Sequence, residues 1–310
     1  MTVLVTGATG FVGRALLTRM LAEGSYAVRA VVRRESATLS PAAQRVVADL
    51  GGRPDWSTAL LNVHAVVHLA ARVHVMRDRA PDPLSEYRRV NVTGTLYLAR
   101  QAAVAGVKRF VYLSSVKVNG ETGRYVEDDP AAPQDPYSVS KHEAEEGLRR
   151  VTAETGMESV VIRSPLVYGP GVGANFGALM RWVDRGLPLP LGAIRNRRSL
   201  VAVDNLVDFL LVCLNHPAAA NEIFFVSDGE DLPTPALVRR MATAMGRPSR
   251  LIPVPPGLLM AAAAIAGRLD IARRLTGTLQ VDTTKARRLL GWTPPVAVDD
   301  ALRRAVARSA

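Results

Sequence analysis

Tyr137 and Lys141 stand four residues apart in the run Asp-Pro-Tyr-Ser-Val-Ser-Lys, and Ser115 lies 22 residues before the tyrosine. On a helix, a four-residue spacing puts both side chains on one face, one turn apart. A free tyrosine titrates near 10, too high for proton transfer at neutral pH, and a neighbouring ammonium favours its phenolate. Such a pair can hand a proton to a carbinol oxygen or take one from it. Ser115, which follows an apolar run that reads as a strand, offers a hydroxyl to polarise the same oxygen. The competing reading is a surface helix that carries one tyrosine and one lysine.

A second set of residues points to an anion. The run Val3-Leu4-Val5-Thr6 leads straight into glycines at 7, 10 and 13, and an amphipathic segment follows over 11–23. That order reads as strand, tight turn and helix N-terminus. Bare glycines let a pyrophosphate approach backbone N–H groups at the positive end of the helix dipole. An ordinary strand–helix turn is the alternative, since a glycine pattern alone is weak evidence.

These residues need a scaffold, and the apolar pattern supplies one. Runs that read as buried parallel strands occur at 3–6, 26–32, 45–48, 65–69, 109–113 and 159–163. Helical periodicity fills most of the gaps, at 11–23, 84–105 and 136–156. The alternation predicts an α/β fold, a Rossmann-like doubly wound parallel sheet whose crevice opens at the strands' C-terminal ends. Asp49, Ala70-Ala71, Ser114-Ser115 and Ser164-Pro165 all fall just after such strands. From about residue 165 the rhythm breaks, with Pro and Gly clustered at 169–171, 186–188 and 253–256. The expected division is a dinucleotide-binding domain over 1–164 and a smaller substrate-binding domain over 165–310, with elements near 200–226 returning to the main sheet.

Composition bounds the rest. With 310 residues, 48% apolar and 22% charged, the chain is globular and large enough for a sizeable core. The first strand begins at residue 3, and the longest uncharged apolar run, 254–267, is shorter than the ~20 residues a bilayer requires. A cytoplasmic protein with no integral membrane segment is expected. The single cysteine, Cys213, sits in an apolar stretch and reads as a buried hydrophobe. The net charge of +11 comes largely from arginines scattered along helices, the pattern of solvated faces; a polyphosphate ligand or an anionic membrane are the specific readings. No nucleic-acid partner is expected, because no recognition helix or basic–aromatic interleaving accompanies the charge. No metal is expected either, since His64, His68 and His74 lack a carboxylate or cysteine to complete a ligand set. The run 258–265 reads as a core helix or the helix of a homodimer, with docking on a membrane surface as the alternative.

Together, Gly7, Gly10 and Gly13, Ser115 and Tyr137-x-x-x-Lys141 resemble the extended short-chain dehydrogenase/reductases of the NAD-dependent epimerase/dehydratase family, which act on nucleotide sugars. The likeness covers essentially the whole chain, to the ending Asp282-Thr-Thr-Lys285 through Gly291-Trp292. It implies that Tyr137 is the acid/base, that Lys141 binds the nicotinamide ribose and lowers the Tyr137 pKa, and that Ser115 holds the reacting oxygen. It implies a dinucleotide, NADP or NAD, against Gly7, Thr9, Gly10, Phe11, Val12 and Gly13. Asp49-Leu50 resembles the adenine contact, Leu69-Ala70-Ala71 the loop over the cofactor, Asn91 the structural asparagine, and Pro165 begins the segment Pro-Leu-Val-Tyr-Gly-Pro-Gly after the sixth strand. Asn175 and Arg198 fall where relatives hold the diphosphate of a UDP-sugar. His74, Lys117 and Asn119 are expected near the hexose, with Arg274 among the substrate contacts.

Two departures narrow the expectation. Sugar-nucleotide 4,6-dehydratases carry Thr-Asp-Glu where this chain has Ser115-Val116-Lys117, so the two carboxyl groups that elimination needs are missing. NAD-preferring relatives end the second strand with an acidic residue; here Arg33-Arg34 stand there, and two guanidinium groups could fork onto a 2′-phosphate. That tilts the expectation towards NADP, unless the arginines simply end the strand in solvent. The string Ser114-Ser115-Val-Lys117-Val-Asn119-Gly120-Glu121 resembles the reductases that make UDP-N-acetylquinovosamine for bacterial O-antigens. The expected reaction is therefore reduction of a UDP-4-keto-6-deoxy-N-acetylhexosamine at C4. The alternatives are a UDP-hexose or UDP-N-acetylhexosamine 4-epimerase and a non-catalytic dinucleotide-binding module.

Overall fold

The computed structural model describes residues 1–34, 39–73 and 81–307. Its strands, in chain order, are β1 (Thr2–Thr6), β2 (Ala27–Val32), β3 (Gln44–Val47), β4 (Ala65–His68), β5 (Arg109–Ser115) and β6 (Gly123–Tyr125), then β7 (Glu158–Ser164), β8 (Leu166–Tyr168), β9 (Leu200–Ala202), β10 (Glu222–Phe225) and β11 (Leu279–Val281). Seven of them form one parallel sheet in the order β10-β7-β5-β4-β1-β2-β3. The α/β, Rossmann-like expectation is met.

The pleat explains why the central strands read as unbroken apolar runs. Val3 and Val5 enter the core on one face of the sheet, with helix Phe11–Glu23 and helix Val203–Asn215. Leu4 enters the core on the other face, with Leu98, Ala102, Ala144 and Leu148 of the opposing helices. Both faces are covered, so alternate positions along the strand are equally apolar. Strand order reverses between β1 and β4, and at such a switch point the connecting helices diverge and leave a crevice. The register of β1 on β4 (Thr6 opposite His68) and of β5 on β7 (Ser115 opposite Ser164) brings the ends of all four strands to that one edge.

Elements near residues 200–226 behave in two ways. β10 adds to the main sheet beside β7, while β9 pairs with β8 in a separate two-stranded sheet. A third core, around Tyr168, Phe176, Met180, Leu237 and Leu302, lies beneath the second half of the chain. β11 returns from that half to pair with β6, so late residues come to lie beside the loop that follows β5.

The segment expected as one helix over 84–105 is interrupted. An α-helical turn, Pro83–Tyr87, widens into a π-helical stretch, Arg88–Gly94, before α-helix resumes at Thr95–Val104. The wider turn carries Asn91 and Gly94 inward, and a Cβ at Gly94 would lie 2.6 Å from the Leu50 carbonyl oxygen. Pro256–Ile265 is helical, yet none of its residues is buried, which removes the core-helix reading.

Candidate active site

The turn after β1 is built for close approach. Gly7 has φ +68°, and a Cβ there would lie 2.7 Å from the backbone nitrogen of Ala70. A Cβ at Gly13 would sit 2.1 Å from the Gly7 carbonyl oxygen. Packing within the turn therefore demands two of the three glycines, while Gly10 is exposed. Gly10 is also the N-cap of the following helix and supplies no side chain to satisfy its first N–H groups. An uncapped helix N-terminus at a sheet switch point suits the pyrophosphate of a dinucleotide. Thr9, Phe11 and Val12 are partly exposed on the same turn, and Leu69, Ala70 and Ala71 on the adjoining loop.

A buried relay pins that loop. The Ala70 amide donates to Thr6 Oγ1 at 3.2 Å; Thr6 Oγ1 lies 2.7 Å from His68 Nδ1, and His68 Nε2 lies 2.9 Å from Thr95 Oγ1. Burial, with the Lys141 charge nearby, pulls His68 down to about 3, so the ring stays neutral and serves one hydroxyl through each nitrogen. Asn91 holds the next stretch: its Oδ1 accepts from the Arg72 amide at 2.7 Å, and its Nδ2 donates to the Arg72 carbonyl and to Ser140 Oγ. Pro165 is buried beside β7, and Leu50 is buried in the core beneath Gly94. Asp49 is exposed and caps the turn Leu50–Gly52 through the Gly51 amide. Arg33 and Arg34 are exposed just past β2.

Tyr137 enters in the first turn of helix Pro136–Thr155, whose start is fixed by a capping box. Asp135 Oδ1 accepts from the Ser138 amide at 2.7 Å, and Ser138 Oγ accepts from the Asp135 amide at 3.0 Å. The Tyr137 phenol is hydrogen-bonded to the Ser115 side chain, and its ring meets Tyr87 edge-on with centroids 6.2 Å apart. Lys141 is buried one turn along, donates to the Leu113 carbonyl at 2.7 Å, and lies 4.4 Å from the centre of the Tyr112 ring. The three residues do converge at the end of β5.

Their charges differ from expectation in one respect. Burial pushes the Tyr137 phenol above its ordinary value, with Asp135 and Tyr87 adding and the Ser115 bond opposing. The ammonium expected to lower it is directed at the Leu113 carbonyl and the Tyr112 ring instead. Burial also draws Lys141 down to about 7, against the pull of Glu145. Tyr137 is held as a protonated acid.

Behind the lysine is an ion pair that the sequence reading passed over. Arg163 donates to Glu145 through Nε at 3.1 Å and Nη2 at 2.6 Å, with both side chains buried. Glu145 also accepts from Ser114 Oγ, next to Ser115. The remaining guanidinium nitrogen donates to Asn119 Oδ1 at 3.0 Å, and Asn119 Nδ2 donates to the Asp129 carbonyl at 3.1 Å. Asn119 is therefore an internal strut and not a hexose contact. The available signal was Glu145 itself, four residues past Lys141 on the same face.

Lys117 also departs from expectation, because Glu121 Oε1 and Asp135 Oδ2 each lie 2.6 Å from its Nζ. Two carboxylates and partial burial hold it away from a hexose, and it steadies the cap of the tyrosine helix. Asn175 is exposed in the first turn of helix Ala174–Asp184. Arg198 Nη1 donates to the Arg274 carbonyl at 2.7 Å and the Gly277 carbonyl at 3.1 Å. Burial and the neighbouring Arg274 guanidinium depress the Arg198 pKa, so two cations stand close together. Arg274 Nε is buried and has no hydrogen-bond partner among the described residues. Such a pair wants an anion. His74 lies outside the described residues. A shallow cleft lined by Leu61, His64, Tyr97 and Lys108 occupies the N-terminal ends of β4 and β5, away from this crevice.

Comparison with known proteins fits this geometry. The NAD dependent epimerase/dehydratase family matches residues 3–227. A UDP-glucose 4-epimerase of Vibrio cholerae is 44% identical over 97% of this chain and 93% of its own length. A UDP-glucose 4-epimerase of Mycolicibacterium smegmatis is 32% identical, covering 99% and 97%. The solved structure of MoeE5 in complex with UDP-glucose and NAD superposes with a TM-score of 0.78 at 26% identity, over 100% of this chain and 98% of that one.

Proposed function

This chain belongs to the NAD dependent epimerase/dehydratase family, and from that premise we propose that it is an NAD-dependent 4-epimerase of UDP-hexoses or UDP-N-acetylhexosamines. The reading is carried by end-to-end similarity, at 44% identity, to a UDP-glucose 4-epimerase, in a chain whose Ser115–Tyr137 pair lies with Lys141 at the end of β5, next to β4 and the sheet's switch point. It moves the 4-epimerase ahead of the reductase that the sequence alone favoured.

The residues fit a dinucleotide, because Gly7 and Gly13 leave no room for side chains and the helix behind Gly10 has free donors. A nicotinamide held there would supply the hydride acceptor and donor for C4 of the sugar. Ser115 holds the C4 oxygen by a hydrogen bond. For the oxidation Tyr137 must first lose its phenol proton to solvent; as the phenolate it takes the proton of the C4 hydroxyl, and it returns that proton after the 4-keto sugar has turned its other face. Lys141, one turn along the same helix face, orients the ribose. Arg198 and Arg274 take the diphosphate, which lets the hexose turn while the nucleotide stays fixed. Position 116 is a buried valine and Lys117 is already paired, so the two carboxyl groups of a dehydratase have no counterpart. The cofactor is proposed as NAD, with Arg33 and Arg34 ending β2 in solvent; the NADP preference drawn from them is set aside.

One observation favours a second reading. A phenol held protonated by burial is suited to donating a proton onto a 4-keto sugar, as a reductase requires. Two assays on the purified protein separate the reactions. NMR of UDP-glucose and UDP-N-acetylglucosamine incubated with NAD is expected to show the galacto epimers without net change in nicotinamide absorbance. Stoichiometric loss of the reduced-nicotinamide band with a UDP-4-keto-6-deoxy-N-acetylhexosamine, and no epimer, would transfer the assignment to the reductase.

A further inference from the structure

The helix Pro256–Ile265 reads Pro-Gly-Leu-Leu-Met-Ala-Ala-Ala-Ala-Ile, with no polar side chain on any face. Helices that are apolar all round are normally buried or in contact with lipid. Here none of the ten residues is buried; Leu258 is 64% exposed and Ile265 is 91% exposed. It packs on the next helix, Leu269–Thr276, and Leu259 reaches the third core, which leaves Leu258 and Ile265 outward; exposed Arg273 follows exposed Arg268 at the turn between the two helices. The sequence on either side of it is basic. Between Asp231 and Asp282 it carries seven arginines and one acidic residue, Asp270; Arg240 pairs with Glu230 and Asp299 and Arg247 with Asp184, while Arg268 and Arg273 are exposed next to the helix.

We propose that helix Pro256–Ile265, flanked by Arg268 and Arg273, is a docking surface for an anionic lipid bilayer. Ten residues make a helix of about 15 Å, half a bilayer's hydrocarbon thickness, so the helix lies on the surface and does not span it. Apolar area supplies insertion and the arginines supply attraction to anionic headgroups, the two terms that govern interfacial binding. A second copy of this chain is the poorer occupant. A two-fold contact would set each strongly basic segment against its own image, with like charges opposed. Arg274 follows Arg273 in the same helix, so docking holds the proposed diphosphate end of the active site close to the bilayer. The inference stands on surface chemistry and holds whichever C4 reaction the site performs.

The test is sedimentation of the full chain with vesicles of phosphatidylcholine alone and with added phosphatidylglycerol, beside light scattering without lipid. Wild type is expected to bind the anionic vesicles, to release as salt rises, and to ignore the neutral ones. Leu258→Asp with Ile265→Asp should abolish binding, and both sites are solvent-facing, so the fold should survive. Arg268→Glu and Arg273→Glu, tested singly, provide an independent pair of surface variants; each should weaken binding by at least about fivefold. No wild-type binding to anionic vesicles would overturn the proposal. Binding undiminished by the double Asp variant would overturn it as well, as would a lipid-free dimer that this variant dissolves in a protein without vesicle affinity.

Discussion

Arg163 grips Glu145 through two guanidinium nitrogens, 3.1 and 2.6 Å from Oε2, and the pair lies one helical turn beyond Lys141. It ties the end of β7 to the tyrosine helix and, through Ser114, to the end of β5. Breaking a buried pair leaves one charge without a partner. Glu145→Ala should therefore cost about 3–5 kcal/mol of stability. Glu145→Gln, which keeps hydrogen bonds to Arg163 and Ser114, should cost less. Urea denaturation of the two variants checks the order, and equal midpoints would show that the pair contributes little.

Tyr137→Phe removes the hydroxyl and leaves the ring that meets Tyr87. General acid–base groups contribute about 10²–10⁴-fold, and a loss of that size in kcat is expected with cofactor affinity nearly unchanged. Steady-state rates beside a fluorescence titration with NAD provide the check.

Much of this was legible in the sequence. The central strands were visible because both faces of the sheet are covered, and the helix over 11–23 because it directly follows a strand and a glycine turn. Tyr137, Lys141 and Ser115 converge as their spacing implied. Charged residues misled for a physical reason. Nothing in their spacing pairs Glu145 with Arg163 until a fold buries them together, and Lys117 and Asn119 look available until their partners are seen. The π-helical stretch at Arg88–Gly94 breaks a period that sequence pattern assumes to be constant. Helix Pro256–Ile265 reads as core by composition, because apolar pattern reports what a segment would bury and not whether anything covers it.

His68 gives the acid limb of stability a defined direction. Its folded pKa of about 3 lies below the ordinary value of 6.5, so between those limits the unfolded chain binds more protons. Its stabilising contribution is complete above 6.5 and is lost as pH falls towards 3, by at most about 1.4 kcal/mol per pH unit. His68→Gln keeps a donor and an acceptor without the titration. The stability gap between wild type and variant should narrow as pH drops from 7 to 4, measured by denaturant titration at each pH.

Arg274→Ala deletes a guanidinium but keeps the backbone carbonyl that holds Arg198. A charge-assisted contact is worth about 1.5–3 kcal/mol, so UDP should bind roughly 10- to 100-fold more weakly. Calorimetry with UDP reads this directly, and NAD affinity should be unchanged.

The central claim is that hydrogen leaves C4 of the sugar as a hydride, is held, and returns to the same carbon. UDP-glucose and UDP-N-acetylglucosamine deuterated at C4, incubated with the protein and NAD in ordinary water, test it most directly by mass spectrometry of the products. The account predicts galacto epimers that keep the deuterium, and none from Tyr137→Phe within the same time. Epimers that have exchanged the label for solvent hydrogen, or sugar nucleotides left unchanged by the wild-type protein, would contradict it.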